Sequence, residues 1–239
     1  MPTTAYLDYR DGETTCEAYV AHDDAAGEKR PAVLVAHQWS GQQPPEREVA
    51  ERLAGLGYVG MAIDVYGKGR RGDRTGDNGH LMGPFMADRA ALRARLLAAV
   101  EAARAHDAVD ATRIAVIGYC FGGLCALDVA RANAPGVRGV VSLHGIFAAP
   151  NLGPQAEIEP SVLVLHGWDD PLAPPQDVLR LAEELTAAKA DWQLHAYGHA
   201  MHSFTNPNAA FPERGLAYHA KAAARSWASV EAFLRDVFA

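Results

Sequence analysis

Short apolar runs, each about one strand long, recur along the chain with helix-patterned segments between them. The runs are Ala32-Val-Leu-Val-Ala-His37, Tyr58 to Val65, Arg113 to Ile117, Gly139 to Leu143, Ser161 to Leu165 and Trp192 to Tyr197. Unbroken apolar runs of this kind suit strands covered by helices on both faces. The intervening pattern predicts helices over about 45–56, stopped by Gly57, over 84–106, 121–133 and 175–189, and from Glu213 onward. Strands alternating with helices imply an α/β fold with a mostly parallel, doubly wound sheet and right-handed crossovers. Ahead of it, Tyr6 to Tyr9 and Thr14 to Val20 flank Asp11-Gly12, the residue types of a tight turn, and predict an N-terminal hairpin.

No composition shift or long linker divides the 239 residues, which predicts a single domain over 1–239 with no separate lid. The 49% hydrophobic against 21% charged content is enough for a substantial core. A net charge of −7 argues against a protein that neutralises phosphate backbones, so no nucleic-acid partner is expected. The opening MPTTAYLDYRDGE lacks the basic and apolar regions of a signal peptide, and no apolar run approaches the ~18 residues that span a bilayer. Cys16, Cys120 and Cys125 have no C-x-x-C spacing, so neither a disulfide framework nor a metal site is suggested. The expectation is a cytoplasmic protein with no membrane partner, a monomer or small homo-oligomer.

Chemistry concentrates at Ile117-Gly-Tyr-Cys120-Phe-Gly-Gly123, which has the form of a nucleophile elbow, G-x-S-x-G, with cysteine in place of serine. Strand, sharp turn and helix are predicted around it, and Gly118 and Gly122 are small enough for such a turn. A helix starting near Phe121 points its free N–H groups and positive dipole end at the sulfur, which favours thiolate. The plain alternative is a buried thiol between glycines, which describes Cys125 in the following helix.

A nucleophile needs a base, and the base an orienting acid, in the chain order nucleophile, acid, histidine. The strand ending at Leu165 leads into His166-Gly-Trp-Asp169-Asp170-Pro-Leu-Ala-Pro174, and the strand ending at Tyr197 into Gly198-His199-Ala-Met-His202-Ser-Phe204. Asp170 is preferred over Asp169 because Asp-Pro rigidifies its loop, and His202 over His199. The His199/His202 spacing has no further His or Cys pair to complete a metal site. Backbone N–H groups of Phe121 and Trp39 are the candidate oxyanion donors, Trp39 lying in the loop after the first central strand. The Trp39 ring suits either a pocket wall or the core. The long loop over 67–83, with Arg70, Arg71 and Arg74, follows a strand on the edge where open α/β sheets bind ligands.

GYCFGG, GWDDPLAP, HSF and the HQWSG stretch over 37–41 together resemble the dienelactone hydrolases (carboxymethylenebutenolidases) of the α/β-hydrolase fold, over nearly the whole chain. The resemblance implies Cys120 as nucleophile, His202 as base, Asp170 as its orienter, Phe121 and Trp39 as oxyanion hole, and no cofactor or metal. It implies a small-molecule ester or lactone substrate, with Gln38, Trp39 and Asn206 at the substrate. In the family a glutamate that helps form the thiolate stands at Gln38, and an arginine that binds the substrate carboxylate stands at Asn206. Gln38 cannot take that proton, so Cys120 must rely on His202 and the helix N-terminus. Thioester hydrolysis or acyl transfer, and ligand binding without turnover, are the alternative functions.

Overall fold

The computed structural model describes residues 2–23 and 27–239. The predicted hairpin is there, longer at both ends: β1 (Thr3–Asp11) and β2 (Thr14–His22) pair antiparallel around Gly12, whose φ of +56° is the left-handed conformation such a turn needs. Next come β3 (Arg30–Ala36), α1 (Pro44–Gly55) and β4 (Val59–Ala62). Then follow α2 (Gly79–Ala87), α3 (Arg89–Arg104), β5 (Val109–Tyr119) and α4 (Phe121–Arg131). β6 (Val137–Leu143), β7 (Ser161–Gly167), α5 (Pro175–Ala187) and β8 (Trp192–Tyr197) continue the alternation. The two-residue strands β9 (Ala210–Phe211) and β10 (Leu216–Ala217) precede α6 (Ala220–Val237).

The order β1-β2-β4-β3-β5-β6-β7-β8 makes one eight-stranded sheet, parallel from β4 to β8 and antiparallel in the hairpin and its junction with β4. Side chains alternate faces along each strand. Val33 and Val35 of β3 and Ala115 and Ile117 of β5 therefore pack under Leu53 of α1 and Trp227, Val230 and Leu234 of α6. Their neighbours Leu34, Ile114 and Val116 pack under Leu92 and Leu96 of α3, Leu124 of α4 and Leu181 of α5. Strand order reverses at β3, whose neighbours are β4 and β5, and the crevice beyond such a reversal is where doubly wound sheets hold ligands.

The largest departures from the pattern prediction are in the helices. The helix expected over 84–106 is two helices, because Asp88, with ψ of 85°, leaves the helical region and caps the second one by accepting from the Ala91 N–H at 2.9 Å. The first of these starts at Gly79, so the loop after β4 is shorter than it looked. The last helix starts at Ala220 rather than Glu213, which lies in a short 3-10 turn between β9 and β10. Among the described residues no helix is long and apolar enough to cross a membrane.

Candidate active site

β5 runs into Cys120 and α4 leaves from it, and the turn between them is held in an unusual conformation. Cys120 has φ 56° and ψ −116°, outside the regions that side-chain-bearing residues normally occupy. What permits this is close packing of glycines. A Cβ on Gly118 would collide with the Gly122 carbonyl, and one on Gly122 with the carbonyls of Ala36 and His37. The elbow thus sits directly against the end of β3, where the loop carrying Gln38 and Trp39 begins.

That loop is fixed from several directions. His37 is wholly buried, and burial lowers its pKa to about 4. The neutral ring donates from Nδ1 to the Gln38 carbonyl at 2.6 Å and accepts the Val65 N–H on Nε2 at 3.1 Å. Tyr66 donates its hydroxyl to the Trp39 carbonyl at 3.0 Å, and the Gln43 side chain donates to the carbonyls of Ser40 and Gly72. Neither Trp39 nor Phe121 donates its backbone N–H to a carbonyl in the turns and caps of the described residues. For Phe121 this follows from its place in the first turn of α4. Trp39 packs partly on the core and also lines the cleft, so the two alternatives do not exclude each other.

Asp170 and His202 lie at the ends of β7 and β8, both almost fully buried, with Asp170 Oδ2 2.7 Å from His202 Nδ1. Asp170 also accepts the Leu172 N–H at 2.8 Å, so its loop is braced by its own carboxylate. The competing residues behave otherwise: His199 is nearly fully exposed and only 3.8 Å from an exposed Asp169. His202 Nε2 has no fully formed hydrogen bond and lies beside Cys120. Burial opposes charge on this ring but is outweighed. The Cys120 charge and the Asp170 hydrogen bond raise its pKa to about 10.

Two further histidines belong to the surroundings of this pair. His144, after β6, is buried with φ +38°, sets its ring edge-on to His202 at 5.1 Å and exchanges a 2.8 Å hydrogen bond with Thr205. His166 is buried against Phe147, and neither ring nitrogen has a partner among the described residues. Burial lowers the pKa of both, so they sit behind His202 as neutral rings. Cys125 is core, as expected, and burial pushes its thiol well up.

A cleft of about 470 Å³ opens beside the elbow, lined by Gln38, Trp39 and Asn206 together with Tyr119, Thr205 and Glu46. Gln38, Trp39 and Asn206, the residues expected at the substrate, thus line one cleft. Of the loop arginines, Arg71 is tied to Asp64 at 3.3 Å and Arg70 donates to the Tyr66 carbonyl, whereas Arg74 reaches the cleft. Glu46 is the residue that sequence reasoning missed. Gln-Pro-Pro-Glu over 43–46 is a recognisable helix start, and Glu46 does cap α1 by accepting the Gln43 N–H at 3.0 Å, but its place in the cleft depends on how α1 packs on β3. No group of residues suited to holding a metal ion occurs among the described residues.

An elbow of this kind, at the end of a central parallel strand and flanked by an acid loop and a histidine loop on later strands, places the chain in the α/β-hydrolase class. The model of the Dienelactone hydrolase family matches residues 16–238, and the chain belongs to that family, a lactone or ester hydrolase. It is 38% identical to the solved structure of m3DLH, covering 100% of this chain and 99% of that one with a TM-score of 0.93. The dienelactone hydrolase-like promiscuous phosphotriesterase P91, from metagenomic libraries, is 36% identical with a TM-score of 0.92 over the same shares. A Synechocystis protein provisionally named carboxymethylenebutenolidase is 27% identical over 227 residues, 89% of this chain and 88% of that protein.

Proposed function

We propose that the chain hydrolyses small esters or lactones with Cys120 as nucleophile, His202 as acid and base, and Asp170 as the group that orients and charges His202. The observation that carries this reading is the buried 2.7 Å Asp170–His202 pair beside a cysteine held in the elbow conformation. The reactive form is a Cys120 thiolate beside a protonated His202. Thiolate attacks the carbonyl carbon, and the new oxyanion takes the free N–H groups of Phe121 and Trp39. Collapse expels the alkoxide, which takes the Nε2 proton of His202 and leaves a thioester on Cys120.

Acylation removes the Cys120 charge, one of the causes that hold the His202 pKa at about 10. The ring's pKa then falls, and the neutral imidazole can take a proton from the water that attacks the thioester. One side chain thus serves as acid in the first half and base in the second, with the sulfur's own charge as the switch. Three free cysteines fit a reducing, cytoplasmic setting.

Cys120→Ala is expected to abolish 4-nitrophenyl acetate hydrolysis in protein whose circular dichroism is unchanged; undiminished turnover would end the assignment. Intact mass after mixing separates the non-turnover alternative, which would leave a stable acyl adduct on Cys120, and acyl thioesters in the panel test for thioesterase activity. The likeness to P91 supports a second substrate class, phosphotriesters, since the same N–H pair can face a phosphoryl oxygen. Release of 4-nitrophenol from a dialkyl 4-nitrophenyl phosphate, lost in Cys120→Ala, is the expected sign of it.

A further inference from the structure

We propose that Glu46 sets the charge selectivity of the cleft, so that the enzyme accepts uncharged or cationic acyl groups and turns away those bearing a carboxylate. This rests on the ester or lactone hydrolase reading above. Glu46 is only 2% exposed, yet it lines the same cleft as Gln38, Trp39, Tyr119 and Asn206. Its Oε2 accepts the Gln43 N–H at 3.0 Å and its Oε1 faces the Gln38 side-chain amide at 3.4 Å. Burial raises its pKa, and these two donors oppose the rise by stabilising the carboxylate.

Three other charged residues line the cleft, Glu48, Arg52 and Arg74. Arg52 is exposed, its guanidinium 3.8 Å over the Trp227 ring and 3.6 Å from Glu231, and although its charge reaches Tyr119 in the cleft, it is screened by water and shared with Glu231. Glu48 and Arg74 are exposed and of opposite sign, so water and salt screen each of them and they offset one another. The charge on Glu46 is the one set in a low-dielectric wall, where a Coulomb interaction at equal distance is several times stronger than at the surface. Asn206, which lines the same cleft, offers an amide and no cation. A carboxylate on the acyl group would therefore meet net repulsion.

The test is a series of 4-nitrophenyl esters with one leaving group and three acyl charges: butanoate, hemiglutarate and 4-(trimethylammonio)butanoate. In the wild-type protein kcat/KM for the anionic ester is expected to lie about tenfold below that for butanoate at low salt. The cationic ester should equal or exceed butanoate. Glu46→Gln, which keeps the shape and can still accept from Gln43, should shrink the anionic-to-neutral difference to within about twofold, and Glu46→Asp should preserve it. Ratios within each protein cancel any general loss of activity. A Glu46→Gln spread equal to wild type overturns the proposal. If that variant does not fold, the wild-type order decides alone, since preference for the anionic ester overturns it. Turnover of none of the esters would overturn the hydrolase reading and this proposal with it.

Discussion

Cys120 occupies a backbone conformation that costs about 1–3 kcal/mol for a residue with a side chain, and packing of Gly118 and Gly122 against neighbouring carbonyls holds it there. What that strain secures is a sulfur beside His202, and the pH dependence follows. A ring whose pKa is raised contributes stability in full below the ordinary value near 6.5, and loses it as pH rises through about 10. The same proton is needed by a poor leaving group. The kcat/KM for an alkyl ester should therefore fall as pH passes about 10, while that for a 4-nitrophenyl ester, whose phenolate leaves unprotonated, should not fall with it. Asp170→Asn removes one cause of the raised pKa and should move the alkyl-ester fall to lower pH; coincident profiles for the two esters would contradict the acid role of His202. The Asp-Pro loop points to Asp170 and the following Ser203-Phe204 to His202, and these two are the pair found buried at 2.7 Å, with Asp169 and His199 exposed. Glu46 could not be read from sequence, since nothing in its local pattern distinguishes an ordinary cap from one that also faces a cleft.

Helices on the α4 side of the sheet are tied by a chain of charges. Arg89 of α3 and Arg131 of α4 both bind Asp128, at 2.7 Å and 3.1 Å, and Arg131 continues to Glu184 of α5 at 2.7 Å. Both arginines and Asp128 are buried, so removing the shared carboxylate leaves Arg89 buried without a carboxylate partner, while Arg131 keeps Glu184. Asp128→Ala is expected to cost about 3–5 kcal/mol in urea unfolding, and a loss under about 1 kcal/mol would show that the cluster does not hold these helices. Strand existence was plain from composition because β3, β5, β6 and β7 are buried on both faces and so read as unbroken apolar runs. Helix ends were not. The break at Asp88 leaves the apolar periodicity of 84–106 intact, and the turn holding Glu213 is helical for only three residues, fixed by β9 and β10 pairing with each other.

Both cores share one sheet, so α1 and α6 cannot leave one face without exposing strands that α3, α4 and α5 cover from the other. We expect the chain to unfold as a single cooperative domain. Tryptophan fluorescence and far-ultraviolet circular dichroism should trace one urea transition, and separated midpoints would divide the chain into independent units. The overall plan was available from the alternation of strand and helix, and the family resemblance marked Gln38, Trp39 and Asn206, but the α1 wall of the cleft was not, because it depends on packing where β3 reverses the strand order. Within that plan, labour is divided. Cys120, Asp170 and His202, the proposed triad, come just after the ends of β5, β7 and β8, whereas the cleft is walled mainly by α1, by the connection after β3, by Arg74 and by 205–208. Such a partition makes the protein a modular tool: its walls can be rewritten for a new guest while the cutting edge stays where the sheet has put it.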